Sequence, residues 1–400
     1  DNTTHHAKPG WNDADNVRLQ VVALDVDAAA DYDRCADPVT FATVHDCRTT
    51  TEQSTYKVSA EQEAGNFSNA FGYSDIETMR DDFAAGSAAF GSQGQIRRLE
   101  YTGSYKPSAA SALVYGLDFQ NDELTDDEGP RSRDQQGYYV ELQKAFAGAV
   151  FVSLGARYDD NDDFGSHTSK RLSAAYVQDL DADRSIRYRT SIGTGFRAPS
   201  LFEIAYNRGP FSFPPAAGAM LTEESSEGFD IGIDYDVANG LHLELTYFDQ
   251  QIEDEIVFDI VSFSGYLQSP GMSTSKGIEI GVDMPLGNRW ELLANWTHND
   301  TDTASNEPRV HRPQNVGNVG FSYRAANERL AFIPNHRIVR DSTDIGSVAL
   351  DDYHVLDLSV RYDASEMLQL YGRVQNATDE TYQEVGGVNA AERAIYGGVG

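Results

Sequence analysis

Between Ser185 and Ile192 the chain alternates strictly. Ile186, Tyr188, Thr190 and Ile192 fall on one side, and Ser185, Arg187, Arg189 and Ser191 on the other. Successive side chains of an extended strand point to opposite faces, so the stretch predicts a ribbon with one oily face and one basic, polar face. The pattern returns later in the chain. Leu241, Leu243, Leu245 and Tyr247 alternate with His242, Glu244, Thr246 and Phe248. Ile278, Ile280 and Val282 alternate with Glu279, Gly281 and Asp283, and Leu356, Leu358 and Val360 with Asp357, Ser359 and Arg361. Leu368, Leu370 and Val374 alternate with Gln369, Tyr371, Arg373 and Gln375. About 18 such segments can be marked, with almost no stretch of helical period. A dry core does not tolerate unpaired charge in strand after strand. An apolar exterior in lipid around a wet or plugged bore does.

The connections repeat a second pattern. Tight links are expected at Val237–Gly240, Pro285–Asn288, Ala325–Glu328 and Asp363–Glu366. Long polar links are expected at Arg197–Leu221, Glu253–Ser273, Asp300–Arg312, Val339–Asp351 and Thr378–Arg393. Short and long alternate, as they must when an up-and-down barrel gathers turns at one rim and loops at the other. A Greek-key sandwich gives no reason for this. The predicted fold class is all-β: a large antiparallel up-and-down transmembrane β-barrel.

The earlier half predicts strands at Arg18–Asp27, Ser54–Gly65, Phe67–Met79, Gln95–Tyr105 and Ala112–Gln120. Gly137–Phe146, Val150–Tyr158 and Ser169–Gln178 follow. A loop rich in Asp, Thr and Cys is expected from the first strand to Thr51. Charged loops are expected at Asn121–Asp134 and Asp159–Gly165.

Composition narrows the partners. The 400 residues carry 31 Lys and Arg against 63 Asp and Glu, a net charge of -32. That argues against nucleic acid, whose phosphates need clustered cations. No run of about 18 apolar residues offers a membrane-crossing helix, but a barrel strand needs only about 10 residues, half of them apolar. The 21 Tyr, 19 Phe and 3 Trp suit interfacial girdles, and also a soluble β protein. Cys35 and Cys47 sit in a polar stretch, where their spacing suits a disulfide in an oxidising compartment; two free thiols are the alternative. No Gly-x-Ser-x-Gly elbow, His-Glu-x-x-His, Walker loop or cysteine cluster is present, so no enzyme is expected.

Several stretches resemble the barrel of TonB-dependent outer-membrane receptors. They are Gly193–Asn207 (GTGFRAPSLFEIAYN), Leu221–Tyr235, Leu241–Phe258 and Ser275–Met284. Arg373–Arg393 resembles the family's end pattern, with Asn376, Asp379 and Tyr382 in an Asn-x-x-Asp-x-x-Tyr run. Ordering and loop lengths, with Gly155–Gly165 added, are most similar to the cobalamin, BtuB-like receptors of that family. The resemblance is good over Gln95–Gly400 and weak over the first ninety residues.

The resemblance implies a barrel of about 22 strands, occluded by an N-terminal plug that couples to the TonB complex. Neither plug nor TonB box is recognisable, and the final strand stops at Gly398–Gly400, so a fragment lacking the plug, the first strands and the last residues is expected. It further implies bacterial outer-membrane localisation, contact with the lipid bilayer and lipopolysaccharide, and a monomer. The cargo would be a scarce large nutrient, cobalamin first, with a ferric siderophore or haem as the alternative. A passive porin and a soluble secreted β protein are the readings of other classes.

Candidate site residues follow. Tyr206, Asn207 and Arg208 in the longest loop are expected to touch ligand. His311 and Arg312 lie near where cobalamin receptors place a ligand-contacting arginine. No cofactor is required, but Asp25, Asp27, Asp31 and Asp33 correspond to calcium-binding aspartates of those receptors, and clustered carboxylates on a flexible loop suit calcium. Asp159, Asp160, Asp162 and Asp163 are a weaker set, and His5–His6 weaker still. Arg187, Arg189, Arg361 and Arg373 are expected to face the bore and pair with acids there.

Overall fold

The computed structural model describes residues 2–13, 16–126, 129–325 and 328–400. Among the described residues, twenty strands form one antiparallel sheet. They are β1 (Asn2–Ala7), β2 (Gly10–Asn12), β3 (Val17–Tyr32), β4 (Cys47–Ala64), β5 (Phe67–Ala84), β6 (Ser87–Ser108) and β7 (Ser111–Asp126). Then come β8 (Gly129–Phe146), β9 (Val150–Asn161), β10 (Gly165–Asp179), β11 (Arg184–Arg197), β12 (Glu224–Val237), β13 (His242–Phe258) and β14 (Tyr266–Leu286). The rest are β15 (Trp290–Asp302), β16 (Asn315–Arg324), β17 (Leu330–Arg340), β18 (Tyr353–Ser365), β19 (Leu368–Gln375) and β20 (Ala394–Val399). From β3 to β20 each strand pairs with its neighbours in this order, and β1 and β2 share the outer edge of β3. The sheet is the wall of an up-and-down barrel. Hydrogen-bonded ladders satisfy the backbone groups that a membrane cannot. One helix, α1 (Leu201–Arg208), is found among the described residues. It is far too short to cross a membrane.

Register shows which face is which. Leu142, Leu154, Leu172, Ile192 and Phe229 stand opposite one another across five strands, and all are exposed. Ile233, Leu245, Ile280 and Trp296 continue the band on β12 to β15. Leu243 and Ile278 are exposed and Ile186 is half-buried, so no second sheet covers them. The buried positions are instead largely polar, with Asp118, Asp159 and Asp234 at 2% exposure or less. A soluble domain has the opposite arrangement. Here lipid takes the apolar face and the bore takes the charges.

Inside, acids and arginines neutralise each other. Asp234 accepts from Arg187 Nε at 2.6 Å and from Arg189 Nε at 3.3 Å, while Arg189 Nη2 reaches Thr246 at 2.7 Å. Arg157 bridges Asp118 at 2.8 Å and Asp159 at 2.7 Å. Gly137 makes room for that bridge, since a Cβ there would lie 1.9 Å from Arg157 Nη2. Of the four arginines expected to pair in the bore, Arg187 and Arg189 do so closely, and Arg361 reaches Asp363 at 3.9 Å. Arg373 differs: its guanidinium lies 4.8 Å from the centroid of the Tyr396 ring.

In the later half the tight turns fall at one rim and the long loops, residues 198–223, 303–314, 341–352 and 376–393, at the other. Ala326 and Asn327 of one expected turn lie outside the described residues. Several expected loops prove to be strand. Asn121–Asp134 forms the tip of the β7–β8 hairpin, paired as far as Asp126 and Gly129, with residues 127 and 128 outside the described residues. Asp159, Asp160 and Asn161 extend β9, leaving a short turn before Gly165. The expected Glu253–Ser273 loop shrinks to residues 259–265, because β13 and β14 stay paired through a register shift at Glu253 to Glu255. One physical reason covers all three. A hairpin ladder runs on into water beyond the lipid, where polar side chains suit both faces.

Candidate functional site

The long-loop rim is built on α1. Pro199 precedes it and Ser200 caps it: Ser200 Oγ accepts from the Glu203 N–H at 3.1 Å, and Glu203 Oε2 accepts from the Ser200 N–H at 2.6 Å. This reciprocal box ends two otherwise orphan donors. Arg197 then ties the helix to the wall, contacting Glu203 at 3.1 Å and Glu224 at 2.6 Å. Arg133 on β8 donates to the Pro199 carbonyl at 2.6 Å and to Asp122 at 3.1 Å.

The three loop residues expected to touch ligand divide. Asn207 is buried and clamps Tyr266: its Nδ2 donates to the Tyr266 carbonyl at 2.7 Å, and its Oδ1 accepts from the Tyr266 N–H at 2.8 Å. It therefore holds the loop and offers nothing to a ligand, which corrects the expectation. Tyr206 packs edge-on against Phe258 and Tyr266. Arg208 is exposed.

His311 is also committed. Its Nε2 donates to Asp344 Oδ1 at 2.7 Å, and Asp344 Oδ2 accepts from the Gly386 N–H at 2.5 Å. One buried carboxylate thus joins the 303–314, 341–352 and 376–393 loops. The backbone N–H groups of Ile345 and Gly386, with His311, hold Asp344 below the usual carboxylate range. The 376–393 loop folds inward over the bore wall. Tyr382 stacks on Tyr353 with ring centroids 4.2 Å apart, and Tyr353 donates to Glu384 at 3.0 Å.

Arg312 lines a cavity of about 240 Å³ between the 303–314 loop and the inner wall. Gln250, Ser273, Ser275, Asn299 and Thr301 supply the wall from β13, β14 and β15, and Arg309 joins Arg312 from the loop. Arg309 Nη2 donates to Glu255 Oε2 at 2.5 Å, and Ser273 Oγ donates to the same oxygen at 2.7 Å. Arg309, Glu255 and the hydroxyl wall were not anticipated. The run Arg309–Val310–His311–Arg312 carried the signal, since it spaces cations along one loop. Further down, a cavity of about 1410 Å³ occupies the bore, lined among others by Arg171, Arg189, Asp230, Glu244 and Glu279.

The expected calcium ligands are not gathered. Asp25, Asp27 and Asp31 belong to β3 and share the outward parity of the exposed Leu19 and Val21. At about 3.3 Å per residue, Asp25 and Asp31 lie roughly 20 Å apart along the strand. Asp31 faces Arg48 at 3.5 Å, and Asp33 faces His45 at 3.7 Å. Asp159 is occupied by Arg157, and Asp163 lies 3.8 Å from Arg133. No group of three or more His, Cys, Asp or Glu suited to a metal occurs among the described residues. These side chains do not fit an oxygen cage. The disulfide is present, Cys35 to Cys47, closing the loop after β3.

Residues 1–377 match the family model described as TonB dependent receptor-like, beta-barrel. The chain belongs to the TonB-dependent receptor family. The match takes in the first ninety residues, where the sequence resemblance was weak. This receptor barrel is 21% identical over 318 residues to the vitamin B12 transporter BtuB of Vibrio cholerae, covering 76% of this chain and 48% of that protein. It is 22% identical over 323 residues to the iron-regulated outer membrane virulence protein of the same species, covering 72% and 48%. The chain spans about half the length of the curated relatives it matches. In structure it is similar to the ferric enterobactin receptor PfeA of Pseudomonas aeruginosa, with a TM-score of 0.82, 16% identity and coverage of 100% and 69%. The siderophore receptor PirA of the same species gives a TM-score of 0.76 at 17% identity, with coverage of 100% and 70%. The receptor barrel resides in the bacterial outer membrane.

Proposed function

We propose that this barrel is the wall of a receptor that captures a scarce, bulky nutrient at its long-loop rim and admits it through the bore on TonB-driven displacement of a plug. The reading requires a plug segment to occlude the bore and carry the energy coupling. In it the neutralised Arg and acid pairs of the inner wall offer that plug a polar, exchangeable surface.

Cobalamin is the proposed cargo. The observation that carries this choice is charge: -32 over the chain, with most rim arginines already tied to acids. Such a rim repels polyanions such as ferric catecholates and suits a large molecule without net charge, as cyanocobalamin is. The vitamin B12 transporters among the relatives support it. A ferric chelate is the second reading, favoured by the similarity to siderophore receptor structures.

The test is equilibrium binding to outer membranes carrying the receptor expressed from its full coding region. Saturable binding of cyanocobalamin, without saturable binding of ferric enterobactin, is expected. Saturable ferric chelate binding with no cobalamin binding would replace the first reading by the second.

A further inference from the structure

The outer side of the wall carries a groove that the capture of cargo does not use. Tyr101, Leu117, Tyr138 and Tyr158 stand opposite one another across β6 to β9. One step down the same face, Tyr115, Val140, Ala156 and Lys170 do so across β7 to β10. Val140 shares its face with Leu142 of the exposed apolar band, so this side meets lipid. These residues border a cavity of about 400 Å³, lined by the four tyrosines, Leu117 and Ala156 among others. The small side chain of Ala156 leaves the floor low between larger neighbours. Tyr115 lies over Gly103, where a Cβ would be 2.4 Å from its ring, and Tyr101 donates to Asn69 Oδ1 at 2.8 Å. The walls of the groove are therefore held in place.

Its height on the barrel is fixed by the strands. β11 rises into the 198–223 loop, so the β9–β10 turn lies at the same rim, and Tyr158 stands just below it. The next outward row, Gln136, Asp160 and Ser166, is polar. The tyrosines thus mark the upper edge of the lipid band, in the outer leaflet. Lys170 is exposed beside Ala156 and has no acid within ion-pair distance among the described residues. A lysine in this place lays its stem on apolar surface and turns its ammonium toward the headgroups. Arg97, on the same outer side of the wall, is instead held by Glu123 at 3.1 Å. In a chain of net charge -32, an unpaired cation at the mouth of an apolar groove calls for an anion.

We infer that this groove is a lipid site: it seats one acyl chain of a phosphorylated glycolipid of the outer leaflet, and Lys170 binds that lipid's phosphate. Charge complementarity selects the occupant. An uncharged lipid would leave Lys170 unpaired, and free phosphate would leave the groove empty. A phosphate pairs with an ammonium through charge-assisted hydrogen bonds, and the volume falls within the range of about 300–1,000 Å³ usual for small-molecule sites. The outer-leaflet position favours lipopolysaccharide, whose lipid A carries both phosphates and acyl chains, over a phospholipid. The general contact expected of an outer-membrane barrel is thereby narrowed to one chain, one phosphate and one place. The site lies on the far side of the wall from the bore and is independent of which cargo the receptor takes.

The experiment uses the full receptor, expressed from its full coding region, stripped of lipid in mild detergent and titrated under native mass spectrometry. The probes are lipid A bearing both phosphates, dephosphorylated lipid A and phosphatidylglycerol. Unheated electrophoretic mobility shows first that each variant is folded. The unaltered receptor should bind phosphorylated lipid A roughly tenfold more tightly than either other probe. Lys170→Gln should lower that affinity roughly tenfold, and Lys170→Arg should restore it. Ala156→Trp, which fills the groove, should weaken both forms of lipid A. Lys276→Gln removes another cation on the outward face, that of the exposed Ile278 on β14, and should change nothing. If K276Q weakens lipid A as much as K170Q does, any outward cation serves and the site is overturned. It is overturned equally if K170Q or A156W binds as the unaltered receptor does, if phosphatidylglycerol binds as tightly as lipid A, or if no probe binds.

Discussion

Asp344 shows how much one side chain can organise. It accepts from the N–H of Ile345 at 2.7 Å, from that of Gly386 at 2.5 Å and from His311 at 2.7 Å, and so ties three loops together. Those partners favour the charged form and lower its pKa from the ordinary 3.8, the backbone donors first and His311 after them. The sign follows. A depressed carboxylate contributes stability that is fully present above 3.8 and is lost only as pH falls through the lower folded value. Asp344 should therefore stay charged, and keep its bonds from Ile345 and Gly386, at pH 5 as at pH 7. Asp344→Asn removes the charge at every pH. Limited proteolysis of intact cells, read by mass spectrometry, should show the 376–393 loop cut several-fold faster in the variant at both pH values. In the unaltered receptor the loop should be cut no faster at pH 5 than at pH 7. Asn207 is a lesson of the same kind. Its position in a long polar loop made it a ligand candidate, but two hydrogen bonds to the Tyr266 backbone use it for holding that loop. Nothing along the chain announces a partner 59 residues away.

The strand is the next scale. Period-two alternation identified β11, β13, β14, β18 and β19 and which face of each meets lipid, because a membrane imposes a simple rule on every outward position. Leu245 belongs to the apolar row formed with Ile233 and Ile280. Leu245→Arg should cost about 2–4 kcal/mol, measured by urea unfolding of the refolded barrel in lipid vesicles. A change in midpoint of only a few tenths of a kcal/mol would mean that this position is not in the bilayer. Strand ends were harder to see. Beyond the lipid the rule lapses, so Asn121–Asp134 and Ala28–Asp31 looked like loops although the ladders continue through them. The helix escaped for a different reason. Eight residues give too little periodicity, and only the Ser200 to Glu203 spacing marked its start. Of the rim cavity the sequence showed only Arg312, since the wall comes from three strands and the cations from a fourth segment.

For the whole molecule the excess of acid is the dominant quantity. A surface of this sign slows the approach of anions and leaves neutral molecules indifferent. Salt screens that repulsion, with a Debye length falling from about 30 Å at 0.01 M to about 8 Å at 0.15 M. Cyanocobalamin association, followed by stopped flow on the full receptor, should change little between these ionic strengths. An anionic ferric chelate should associate several-fold faster at the higher one. A marked slowing of cobalamin capture by salt would mean that long-range attraction steers this cargo, against the charge argument made for it.

From β3 to β20 every ladder joins strands that follow one another in the chain. A change in one stave is thus felt by its two flanking staves and seldom farther round the wall. Such a cask can be refitted at one mouth for another cargo, hoop and timber untouched, by exchanging a single loop between two fixed ends.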